Sequence, residues 1–211
     1  MKKIFLVIII IFSLIIVNPK EYYCDISNKG ISEIEEFILE ENEFIENGFK
    51  LEYITKNSIE KELDRIYEVL SKNSFVEIIK EEYSIKAIKE KIQCDVNLYY
   101  YKDNLKVDII ILNKNKDISL ENIKELSYKI RSEKFVSQRY FSYVKVKIYN
   151  RDIVNDMEFN KLIEEKEELE ISNGRVYKAI TQNKTEINIG QIDYDTGSYL
   201  IIGTPKIFIT Y

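Results

Sequence analysis

The chain has 211 residues, 31 basic against 36 acidic side chains and a net charge of −5, which suits one good-sized core or a duplicated small unit and lacks the positive balance of a nucleic-acid binder. It contains no His, which excludes histidine-based triads and zinc sites, and its 2 Cys and 6 Gly leave little for cysteine metal sites or glycine-rich phosphate loops. The 16 Tyr accompany a surplus of Ile, Lys and Asn and read first as residues of pleated, half-buried strands.

Met1-Lys2-Lys3 is followed by an apolar stretch, Ile4 to Val17, broken only by Ser13, and then by Asn18-Pro19, the pattern of an export signal. At about 1.5 Å per residue it reaches roughly 21 Å, short of the ~30 Å hydrocarbon core. A small-x-small cleavage site is missing, so cleaved secretion and an uncleaved anchor both fit, with Lys2 and Lys3 on the cytoplasmic side. Residues 21–211 are expected outside the cytoplasm. In that oxidising setting Cys24 and Cys94 can form a disulfide, and a buried free thiol at Cys94 fits the apolar phase of its strand equally well.

Residues 21–48 are expected to hold an acidic N-terminal helix. Ser32 and Glu35 form a capping-box pattern, and Ile34, Phe37, Ile38, Phe44 and Ile45 continue the apolar stripe until Gly48. Glu33, Glu36, Glu40, Glu43 and Glu46 line its other face. A strand follows at Phe49–Thr55, then a helix from Ser58 through Ile59, Leu63, Ile66 and Leu70. Strands are predicted at Phe75–Glu82, Ser84–Lys91, Ile92–Tyr101 and Leu105–Leu112, the last two joined at Asp103-Asn104. Leu120, Ile123, Leu126 and Ile130 mark the next helix.

The order then recurs. Tyr140–Tyr149 reads as a strand. A helix opened by Asn155 and Glu158 runs through Phe159, Leu162, Ile163 and Leu169 to Asn173-Gly174. Strands follow at Arg175–Thr181, Glu186–Tyr194, Tyr199–Ile202 and Ile207–Tyr211. The predicted fold is α+β, with duplicated β-α-β-β-β-β units (49–135 and 136–211) forming a curved antiparallel sheet with helices on one face.

The C-terminal run from Glu186 to Tyr211, with Gly203-Thr204-Pro205 and the final Tyr211, resembles the ending of the YwmB family of exported proteins. Members of that family are similar in fold to the TATA-box-binding protein, and the resemblance implies the same duplicated order. No catalytic residues are defined for that family, so none are carried over, and the composition leads to no expected cofactor or metal. Gly203-Thr204-Pro205 also reads simply as a turn between strands.

Charge is unevenly spread, and residues 102–150 form a basic island. Within it the strand Tyr140–Tyr149 alternates Val144, Val146 and Ile148 with Phe141, Tyr143, Lys145, Lys147 and Tyr149. The second phase is a candidate ligand-binding face. Ile92–Tyr101 presents a similar phase of Gln93, Asp95, Asn97, Tyr99 and Tyr101. Three readings compete for this surface. It is a protein, peptide or envelope-polymer binding face, or a nucleic-acid saddle, or a face covered by the acidic helix. Export and the lack of paired aromatics at Tyr83-Ser84 and Gln182-Asn183-Lys184 weigh against the saddle. A carboxylate-dependent hydrolase is the enzymatic alternative. Asp193 and Asp195 are its candidate pair, although their Asp-Thr-Gly-Ser context is first a hairpin turn.

Overall fold

Ser58 accepts a hydrogen bond from the Lys61 amide and caps a helix that buries Leu63, Ile66 and Leu70 along one stripe. Ser119 caps the helix of Leu120, Ile123 and Ile130, with the Asn122 side chain returning the bond. Alternation over 92–98 and 104–113 buries every second residue of two strands. The computed structural model describes residues 29–150, 153–205 and 207. In chain order these form α1 (Lys29–Glu41), β1 (Glu43–Thr55), α2 (Ile59–Lys72), β2 (Glu77–Lys80), β3 (Ser84–Lys89), β4 (Ile92–Tyr101), β5 (Asn104–Asn113), α3 (Leu120–Ile130) and β6 (Phe135–Ile148). After a 3-10 turn at Ile153–Asn155 come α4 (Met157–Leu162), β7 (Ile163–Ile171), β8 (Gly174–Thr181), β9 (Glu186–Tyr194) and β10 (Gly197–Thr204).

The fold is α+β, built on one ten-stranded sheet in the order β2-β3-β4-β5-β1-β6-β10-β9-β8-β7, with antiparallel pairing at each junction. All four helices pack on the same face. Leu63, Ile66 and Leu70 of α2 and Ile123 and Ile130 of α3 meet Phe49, Leu51, Val96 and Ile109 in one core. Ile31, Ile34 and Ile38 of α1 and Phe159 of α4 meet Val144, Val146, Leu200 and Ile202 in a second. A buried network anchors α2: Glu62 accepts from the Tyr53 hydroxyl (2.6 Å) and Asn57 Nδ2 (2.6 Å), and Arg65 Nη2 donates to Glu62 Oε1 (2.5 Å) and the Ile130 carbonyl (2.5 Å). Burial alone would raise the Glu62 carboxyl, but the bonds from Arg65, Tyr53 and Asn57 hold it low.

Three expectations are corrected. First, α1 begins at Lys29, so Ser32 lies inside it, and Glu35 is buried rather than capping. Its carboxylate accepts from Asn47 Nδ2 (2.9 Å) and the Leu120 amide (3.2 Å), tying α1 to β1 and α3. Burial pushes this carboxyl up against the pull of both bonds. Phe44 and Ile45 belong to β1, and the register with β6 shifts between Phe44 and Glu46, leaving Ile45 as the bulge residue. Gly48 is a mid-strand residue and not a helix stop.

Second, the helix expected over 155–173 is only α4, capped by Asp156 through the Glu158 amide (2.7 Å). Residues 163–171 are the edge strand β7, and Ser172-Asn173 turns it into β8, which Gly174 begins. Leu169 is 66% exposed, whereas a helical stripe would have required its burial. The glutamates of β7 suit an edge that has to resist pairing with other chains. Third, β6 starts at Phe135, the β4–β5 turn is Lys102-Asp103, and β2 is shorter than its predicted run. The leader and Cys24, and all but Ile207 of the strand expected at 207–211, lie outside the described residues.

Candidate functional site

Side chains on a strand alternate between faces, so the side chains that β1, β5 and β6 do not bury under the helices must point to the opposite, open face. Among the described residues no helix packs there. Its centre is a charge network held by register. Lys50 and Glu52 of β1 lie beside Ile110 and Asp108 of β5 on one side and Phe141 and Arg139 of β6 on the other. Lys50 Nζ is 2.7 Å from Glu52 and 3.3 Å from Asp108, and Lys106 Nζ is 3.1 Å from Glu52 and 3.3 Å from Asp108. Arg139 Nε donates to Glu52, and the Tyr99 hydroxyl donates to Asp108 (3.0 Å). Burial would raise the Glu52 carboxyl, yet the hydrogen bonds from Lys50, Arg139 and Lys106 bring it down to about 2. Against their own burial, Lys50 is held above the usual lysine range by Glu52 and Asp108, and Lys106 by Tyr99, Glu52 and Asp108.

This network was not among the sequence-derived candidates, although a signal existed. Lys50 and Glu52, and Lys106 and Asp108, each set a cation two residues before a carboxylate in a β-pattern, which places both on one face. The candidates themselves divide. Tyr99, Tyr101 and Tyr149 are exposed on this side or at its margin, at 39%, 45% and 71%. Lys145 and Lys147 are half-buried. Phe141 and Tyr143 are buried and so are corrected from ligand contacts to packing residues. The Tyr143 ring covers Gly48, where an added Cβ would sit 2.3 Å from Cε1, and its hydroxyl donates to Glu46 Oε1 (2.9 Å). Phe141 has Lys50 and Arg139 over its ring at 6.0 and 5.8 Å.

The acidic helix does not cover this face, because α1 packs on the other one. Two of the glutamates assigned to it nevertheless stand beside the lysines in register, on β1. Glu46 stands opposite Lys145 and Glu43 opposite Lys147, and Glu43 accepts from the Tyr149 hydroxyl (3.1 Å). Lys145 lies 5.0 Å over the Tyr199 ring and 6.0 Å over Tyr194.

Cys94 is a fully buried free thiol on the helix-covered face, and burial pushes its pKa up, the condition of an inert cysteine. Asp193 and Asp195 are exposed around the β9–β10 hairpin, where Asp193 accepts from Ser198. The motif residues end β10. Ile207 packs over Gly203, within 2.9 Å of where a Cβ would stand. Thr204 donates to the Glu186 carbonyl (2.7 Å), and the Pro205 carbonyl accepts from Asn188 (2.6 Å). Tyr211 lies outside the described residues. Compared with known proteins, the sequence matches no family model and no curated protein.

Proposed function

We propose that the chain is a non-catalytic binding module acting outside the cytoplasm, which presents the open face of its sheet to a protein, peptide or envelope polymer. The observation that carries this reading is the set of exposed Tyr99, Tyr101 and Tyr149 near lysines on or beside a sheet face that bears no helix among the described residues. Tyrosine offers a large contact area at little entropic cost, and it concentrates at recognition surfaces. The export pattern of residues 1–20 supports the location.

The two halves are proposed to be repeats in the manner of the TATA-box-binding fold and of the YwmB family. In support, the strands run β2-β3-β4-β5-β1 on one side of the centre and β7-β8-β9-β10-β6 on the other. On that scheme the turn matching Tyr83 is Ser172-Asn173, which has no aromatic to act as a second wedge. The basic side chains at the sheet centre are engaged by Glu52 and Asp108. Neither feature favours DNA.

Replacing Tyr101 and Tyr149 together by Ser tests the reading. Both are surface side chains, so the melting temperature should barely move, while capture of the envelope partner by the full chain should fall at least fivefold. Unchanged capture by a stably folded variant contradicts the assignment, as does recovery of the full-length protein as a soluble cytosolic species.

A further inference from the structure

Asn47-Gly48, Asn57-Ser58, Asn73-Ser74 and Asn173-Gly174 are the places where an asparagine precedes a glycine or a serine. The backbone nitrogen of such a small residue is little hindered in approaching the asparagine side-chain carbon, least of all where the residue has no Cβ. At the first three the side-chain amide is held. Asn47 is buried, its Nδ2 donates to Glu35 (2.9 Å) and to the Ile118 carbonyl (3.1 Å), and its Oδ1 accepts from Asn113 (3.0 Å). Asn57 Nδ2 donates to Glu62 (2.6 Å), and Asn73 Nδ2 donates to the Val69 carbonyl (2.8 Å). Asn173 differs. It is exposed in the two-residue turn between β7 and β8, and its side-chain amide makes no hydrogen bond among the described residues. The glycine after it is fixed by the fold, because a Cβ at Gly174 would run into the Gln191 carbonyl oxygen.

We propose that Asn173 is a site of spontaneous deamidation that, with water as the only co-reactant, frees the edge strand β7. The Gly174 nitrogen bonds to Cγ of Asn173 while its proton passes through water to Nδ2, and the Cγ–Nδ2 bond breaks with release of ammonia, closing a five-membered imide. Water then adds to one imide carbonyl and opens the ring. Cutting the bond to Cγ leaves aspartate; cutting the bond to the main-chain carbonyl carbon leaves isoaspartate, with the chain now running through the side chain. Either product adds a negative charge to a hairpin that already carries Glu167, Glu168 and Glu170. Isoaspartate also lengthens by one methylene the turn that sets the register Ile171↔Gly174, Glu170↔Arg175 and Leu169↔Val176. β7 has β8 as its one neighbour in the sheet and little buried side chain to hold it, whereas β8 keeps its pairing with β9. Neither core depends on the outer part of β7, so the loss stays local.

Ageing the full chain for weeks in mildly alkaline buffer, followed by peptide mapping with fragmentation that distinguishes aspartate from isoaspartate, tests this. Conversion at Asn173 should run at least tenfold faster than at Asn47, Asn57 or Asn73. In urea, where burial and hydrogen bonding no longer protect it, Asn47 should approach the rate of Asn173. Hydrogen exchange on the same samples should show the β7 amides losing protection in step with isoaspartate, while β4 and β5 keep theirs. Asn173→Gln would have to close a six-membered ring, so it should stay unmodified and keep β7 protected through the same ageing. An unmodified Asn173 in the aged chain, or equal conversion at Asn47 in the folded protein, overturns the site. Isoaspartate at Asn173 with β7 still protected, or loss of β7 protection in aged Asn173→Gln, overturns the link to the edge strand.

Discussion

Tyr143→Ala is expected to lower the unfolding free energy by about 3–5 kcal/mol, the range for removing a large buried aromatic. The side chain is fully buried, and its loss also leaves Glu46 without the hydroxyl it accepts from. Gly48→Val should be strongly destabilising as well, because its Cβ would lie 2.3 Å from Tyr143 Cε1 and 3.1 Å from Cδ1. The two changes share one space. Combined, they should cost clearly less than the sum of the single changes. Urea unfolding of the four proteins measures this coupling, and simple additivity would mean that the ring does not rest on Gly48.

Glu52→Gln is expected to cost about 3 kcal/mol at pH 7. The Glu52 side chain is 6% exposed and contacts Lys50, Lys106 and Arg139, so removing its charge leaves Lys50 and Lys106 with Asp108 and takes the carboxylate from Arg139. The pH dependence follows from the direction of the shift. The folded carboxyl, at about 2, lies below its ordinary value of 4.5, so its contribution is present above about pH 4.5 and is lost as the pH falls toward 2. The gap between the parent and Glu52→Gln should therefore narrow across that window. Urea titrations at pH 7 and pH 2.5 check it, and a gap of equal size at both would contradict the network.

The sequence resolved elements wherever local pattern and burial agree. β4 and α3 match their predicted limits because alternation and helical spacing are unambiguous there, and their caps and turns are encoded within a few residues. β7 was not legible. Glu and Lys favour helix, and Phe159, Leu162, Ile163 and Leu169 sit at helical spacing, so only pairing with β8 makes 163–171 a strand. The boundary of α1 failed similarly, since Phe44 and Ile45 continue a helical stripe until the register of β1 with β6 is known.

At the candidate site, alternation correctly separated Val144, Val146 and Ile148 from the other phase of β6. It could not reveal that Phe141 and Tyr143 on that other phase are buried. Their burial depends on Gly48 and Lys50 of β1, which lie about ninety residues away and become neighbours only through register. The ion network of Glu52 has the same origin, assembled from three strands whose order the sequence does not spell out.

Recognition through the open sheet face is the central claim, and site-specific photo-crosslinking in intact cells tests it most directly. A crosslinker at Tyr99, Tyr101 or Tyr149 should join the chain to an extracytoplasmic partner, while one at Glu60 or Glu68 on the exposed side of α2 should not. Crosslinks arising equally from both sides, or only from α2, would contradict the account.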